Sequence, residues 1–84
     1  MRHAGLTLSD GFSQVVAKHR EASGLSRAAL ARLAGLHQTY IGLLERGERS
    51  PNLDTASAIA VALGIPLTEL LAQAAKLQKT SKRK

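Results

Sequence analysis

The stretch from Leu25 to Gly47, LSRAALARLAGLHQTYIGLLERG, constrains the fold more than any other part of the chain. Ser26 is a natural helix N-cap. Leu30, Leu33 and Ala34 then recur at helical spacing as an inner face, and Gly35 stands where a side chain is costly if the turn needs positive φ. This spacing predicts one helix over 27–34 and a second over 38–46. Turning the second by about 100° per residue gathers Ile41 and Leu44 on one side and Thr39, Gly42, Leu43 and Arg46 on the other. Two short helices folded about a glycine, the second with its outer face turned away from the core, have the shape that enters the major groove of B-DNA.

Helical periodicity continues on both sides of this segment. Thr7 to Asp10 form a capping region for a helix over about 9–23, in which Phe12, Val15, Val16 and His19 share a face until Gly24 supplies the stop. After Gly47 the residues Arg49, Ser50 and Pro51 make a loop. Asn52 caps a fourth helix over 53–63 carrying Leu53, Ala56, Ile59, Ala60 and Leu63, and Gly64 ends it. A fifth, over about 67–77, bears the stripe Leu67, Leu70, Leu71, Ala74 and Leu77. No strand-like alternation and no internal repeat occurs, so the expected fold class is all-α, a five-helix bundle in a single domain over residues 1–75.

Composition bounds what such a bundle can do. Hydrophobic residues make up 44% of the 84, but with one Phe, one Tyr and no Trp the core must be built from Leu, Ala, Ile and Val. Cysteine is absent, which excludes a disulfide framework and a thiolate zinc site. No run approaches the roughly 18 apolar residues of a membrane span, and the apolar stretch around Leu6 and Leu8 is too short for a signal peptide. The expectation is a soluble, cytoplasmic protein with no membrane partner. His3, His19 and His37 are spread without i,i+4 pairing, so no metal site is expected. With no phosphate-binding glycine loop and no nucleophile placed beside a base, neither catalysis nor a cofactor is expected.

The net charge of +6 is unevenly distributed. Residues 1–75 hold seven basic side chains against six acids, while residues 76–84 carry Lys76, Lys79, Lys82, Arg83 and Lys84 with no acid. The body is therefore nearly neutral, and specific recognition of a polyanion must rest on the helices. The 76–84 segment is expected to be a flexible basic tail. It serves either as a solubilising end or as a salt-sensitive, non-specific phosphate contact.

Residues 20–71 resemble the lambda-repressor and Cro-like helix-turn-helix family, also called the XRE family. The resemblance runs through Arg20, Gly24-Leu25-Ser26, Leu30-Ala31, Ala34-Gly35-Leu36, Ile41, Leu44-Glu45-Arg46-Gly47, Pro51, Ala60, Leu63-Gly64 and Leu70-Leu71. It implies a five-helix lambda-repressor-like bundle that binds operator DNA as a homodimer. It also places Gln38, Thr39, Leu43 and Gly42 at base-reading positions. Gln38 carries the amide that pairs with adenine, Thr39 offers a hydroxyl or a methyl, Leu43 is limited to reading a thymine methyl or excluding water, and Gly42 lets the backbone come close. Arg27, His37, Tyr40, Arg46 and Arg49 fall where the family meets sugar-phosphate.

Some of these positions keep two readings. His37 replaces a small N-cap and either contacts phosphate or weakens the start of the helix. Tyr40 reaches the backbone of DNA or covers the core with its ring. Arg20 and Glu45 resemble the family's structural pair, while Arg32 and Glu48 read as solvated surface charges. Leu67, Leu71 and Ala74, with Leu53 or Ala56, are the expected dimer surface, the alternative being burial within one chain. The functional expectation is a dimeric repressor or autoregulator that reads double-stranded DNA. The alternative is a protein-binding module of the same fold, an antitoxin or a transcriptional adaptor.

Overall fold

A computed structural model describes residues 6–82 and contains five helices: α1 (Leu8–Ala22), α2 (Arg27–Ala34), α3 (Gln38–Glu45), α4 (Leu53–Leu63) and α5 (Leu67–Lys82). Three starts are fixed by side chains that occupy orphan backbone donors. Thr7 and Asp10 form a reciprocal capping box, with the Thr7 Oγ1 accepting from the Asp10 N–H at 3.0 Å and the Asp10 Oδ2 from the Thr7 N–H at 3.2 Å. Ser26 accepts from the Ala29 N–H at 3.0 Å, and Asn52 from the Thr55 N–H at 2.7 Å. Each such cap contributes about 1 kcal/mol. Between α2 and α3, Gly35 takes φ 73° in the left-handed region, and the Leu36 N–H returns to the Ala31 carbonyl at 2.8 Å. A side chain there would add about 1–2 kcal/mol of strain. That turn sets the angle at which α3 leaves α2.

All five helices feed one core. Phe12, Val15 and Val16 come from α1, Leu30 and Ala31 from α2, Ile41 and Leu44 from α3, Ala56, Ile59 and Ala60 from α4, and Leu70 and Ala74 from α5. Burying each large aliphatic side chain supplies roughly 1.5–3 kcal/mol. Among the described residues no single helix is long and apolar enough to cross a membrane.

Three expectations are corrected by the packing. Ala56 and Ala74, placed on the dimer surface by periodicity, are buried within one chain, with no surface to give to a partner. Their size explains it: small side chains sit where helices cross closely, and Ala74 lies directly over Gly11 of α1. Leu33, read as an inner residue, is 60% exposed. Helix α2 faces the core through Leu30, Ala31 and Ala34, and Leu33 is turned about 100° from the middle of that group. Finally, Lys76, Lys79 and Lys82 belong to α5 rather than to a flexible tail. The segment KLQKTSK has no Gly or Pro to stop a helix, and lysines at a helix C-terminus are favoured by the dipole. Arg83, Lys84 and His3 lie outside the described residues.

Helices α1 and α5 hold the back of the bundle. A Cβ on Gly11 would lie 2.6 Å from the Ala74 carbonyl oxygen, so only glycine permits this approach. Nearby, His19 Nε2 and Gln73 Oε1 are 2.9 Å apart. Gly11→Ala gains about 1 kcal/mol of helix propensity but meets backbone that must move, an overpacking cost of about 1–3 kcal/mol. The net expectation is a loss of about 1 kcal/mol, read as a lower urea midpoint with unchanged slope. A raised midpoint would contradict the close α1–α5 crossing.

Candidate nucleic-acid interface

Helix α3 meets the core through few residues. Ile41 and Leu44 are fully buried, Tyr40 packs partly against the same cluster, and Gln38 and Thr39 stand exposed at the N-terminal end. Leu43 is half-buried. His37 occupies the N-cap in extended conformation but makes no side-chain capping bond, and its ring is exposed. The start of α3 therefore presents His37, Gln38 and Thr39 together to solvent.

Gly42 departs from expectation. It lies toward the outer side of α3, yet it is buried, because the Arg46 side chain folds back one turn across it. The Arg46 Nη1 lies 3.3 Å from where a Gly42 Cβ would sit. Long side chains on a helix lean toward its N-terminus, which brings residue i+4 over residue i. The bare backbone at Gly42 is thus covered by a guanidinium and is not open to a close approach by DNA.

The C-terminal end of α3 is fixed by charge. The Glu45 carboxylate is only 3% exposed and is shared by two arginines from two other helices. From α1, Arg20 donates through Nε to Oε2 at 2.6 Å and through Nη2 to Oε1 at 3.1 Å, while its Nη1 donates to the Leu25 carbonyl at 2.9 Å. From α2, Arg27 donates through Nε to Oε1 at 2.9 Å. Burial by itself pushes the Glu45 carboxyl up, but the hydrogen bonds and charges of Arg20 and Arg27 outweigh it and hold the group below the usual carboxylate range. Its hydrogen bond to Glu45 likewise raises the Arg20 guanidinium against the opposing effect of burial.

The remaining cations lie near these helices with different freedom. Arg27 is 47% exposed despite its pairing. Arg46 donates through Nε to the Glu48 carboxylate at 3.2 Å, an exposed pair worth little, about 0–1 kcal/mol. Arg49 is exposed in the loop before α4. The pairings of Arg27 with Glu45 and of Arg46 with Glu48 are not legible as spacing: one joins separate helices and the other spans the Gly47 turn. Among the described residues, no three His, Asp or Glu side chains gather as a metal site.

The chain that holds this short helix, anchored by two aliphatic side chains and a buried carboxylate with cations beside its polar start, matches the helix-turn-helix family model over residues 16–70. The chain belongs to the HTH_3 helix-turn-helix family. It is a helix-turn-helix DNA-binding regulator of transcription. It is 36% identical over 66 residues to control protein C.SmaI of Serratia marcescens, covering 79% of each chain. To control protein C.BamHI of Bacillus amyloliquefaciens it is 41% identical over 61 residues, covering 71% of this chain and 75% of that one. The crystal structure of the restriction-modification controller protein C.AhdI from Aeromonas hydrophila superposes with a TM-score of 0.71 at 40% identity, over 74% of this chain and 94% of that one. The HTH_3 match begins within α1 and ends within α5, so it takes in α2, α3 and α4 whole, while the core residues Phe12, Val15 and Ala74 lie outside it.

The Glu45 junction sets a pH dependence. A carboxyl held low in the folded state contributes stability above its unfolded value of about 4.3 and loses it as pH falls toward the folded value. Glu45→Gln is expected to cost about 2 kcal/mol at neutral pH, less than a fully buried pair because Arg27 reaches solvent. Thermal melts of both proteins between about pH 3 and pH 7 should show the gap closing on the acid side. A gap that stays constant would mean the carboxylate is not held low.

Proposed function

We propose that this regulator is a controller-type protein that works as a homodimer, binding a short inverted repeat near its own promoter in the cytoplasm and acting there as a repressor or autoregulator. The observation that carries this reading is the exposure of Gln38 and Thr39 on a helix whose opposite side is locked into the core. Gln38 pairs with an adenine edge, Thr39 contacts an adjacent base, and Leu43 meets a thymine methyl. Arg27, His37, Tyr40, Arg46 and Arg49 hold the backbone of the duplex. Similarity to the control proteins C.SmaI and C.BamHI supports the controller assignment.

The dimer forms through α4 and α5. Leu67 and Leu71 pack only partly against the core, and Leu53 is 75% exposed, so apolar surface is left for a second copy. Two α3 helices then enter successive major grooves about 34 Å apart.

Electrophoretic shifts on the DNA upstream of the chain's own coding sequence, at two salt concentrations and with competitor DNA, test the proposal. Saturable binding that survives competitor is expected. Gln38→Ala should weaken the best site by about 1–3 kcal/mol and relax one base position. Binding that disappears equally for every sequence would overturn specific recognition.

A further inference from the structure

We infer that Glu45 is a positioning residue for DNA binding: by taking the Nε of Arg27, its carboxylate fixes that guanidinium so that the two terminal nitrogens face a DNA phosphate. The inference rests on the proposed reading of Arg27 as a phosphate contact and assigns its orientation to a second residue.

Four observations carry it. First, the Arg27 Nε donates to Glu45 Oε1 at 2.9 Å, and no other bond between Arg27 and Glu45 is formed. Arginine has five donors in a planar fork, so this engagement of the inner nitrogen leaves the outer edge, whose two parallel N–H groups match a phosphate. Second, the burial is asymmetric. Glu45 is 3% exposed and clamped from the other side by Arg20, whereas Arg27 is 47% exposed. The carboxylate is the fixed partner and the guanidinium the presented one. Third, Arg20 is also engaged elsewhere, with its Nη1 donating to the Leu25 carbonyl and its Nη2 lying 3.6 Å from the Glu21 carboxylate, so Arg27 is the guanidinium at this junction that is bound to Glu45 alone. Fourth, Arg27 is the first residue of α2, where the helix dipole disfavours a cation, and the first turn of α2 holds no acid to offset it. Glu45 supplies the missing negative charge from another helix.

Pre-orientation matters because a free arginine must surrender much of its side-chain freedom to make a two-point contact. One already held by its Nε surrenders less. A lysine at this position keeps the charge but has a single ammonium, which cannot serve the carboxylate and a phosphate with the same geometry. Glu45 thereby joins two tasks: it ties α3 to α1 through Arg20, and it sets the phosphate contact at the start of α2.

The test measures binding to the upstream duplex by fluorescence anisotropy across a salt series for the wild type, Arg27→Ala, Arg27→Lys, Glu45→Gln and the Glu45→Gln/Arg27→Ala double variant, each confirmed folded by circular dichroism. Arg27→Ala should lower the slope of log affinity against log salt by about one. Arg27→Lys should keep that slope and lose about tenfold in affinity, the worth of one charge-assisted hydrogen bond. Glu45→Gln should weaken binding by a larger factor in the wild-type background than once Arg27 is alanine, where only its tie to Arg20 is left to lose. An unchanged slope for Arg27→Ala would overturn the phosphate contact itself. A normal slope change combined with wild-type affinity for Arg27→Lys, or a Glu45→Gln loss of the same factor with and without Arg27, would keep the contact and overturn the positioning role.

Discussion

A single buried carboxylate, Glu45, decides how the reading helix sits on this protein. It receives Arg20 from α1 and Arg27 from α2, so three helices that share no continuous hydrogen-bond ladder meet at one charge. Aliphatic packing through Ile41 and Leu44 holds α3 against the core but is non-directional; the carboxylate fixes its rotation and its end point. A buried ion pair of this kind is a weak source of net stability, since desolvation consumes much of the attraction. Its value here is geometric.

The same economy frees the surface that touches DNA. An eight-residue helix is marginal in isolation and persists through tertiary contacts. Because α3 meets those contacts through Ile41, Leu44 and the Glu45 carboxylate, with Tyr40 packed partly beside them, its first two residues carry no structural duty, and Gln38 and Thr39 remain open. The left-handed Gly35 fixes the direction of approach, and the close α1–α5 crossing at Gly11 braces the scaffold behind it.

Much of this is legible in the sequence, and the exceptions share a cause. Caps at Thr7, Ser26 and Asn52, the Gly35 turn and the opposition of Ile41 and Leu44 to Thr39 follow from local chemistry and a period of 3.6 residues. Periodicity cannot say which apolar residue faces a close helix crossing, so Ala56 and Ala74 read as surface although they are core. It misplaces Leu33 because the buried stripe of α2 is centred elsewhere. It also treats a basic run as a loose end although nothing in KLQKTSK stops a helix. At the interface, the character of Gly42 depends on where a long neighbouring side chain lies, and the dual pairing of Glu45 depends on three separate segments meeting. Both are properties of the assembled fold rather than of any window of residues.

The central claim is that the exposed start of α3, with the start of α2 beside it, is the surface that meets DNA. Backbone amide chemical-shift changes on titration with the upstream duplex examine it residue by residue. The predicted result is that the largest changes fall on His37, Gln38, Thr39 and Leu43 and at Arg27, with those of the α1–α5 crossing around Gly11 and Ala74 small. Changes concentrated instead along α5 from Lys76 onward, with α3 unmoved, would contradict it.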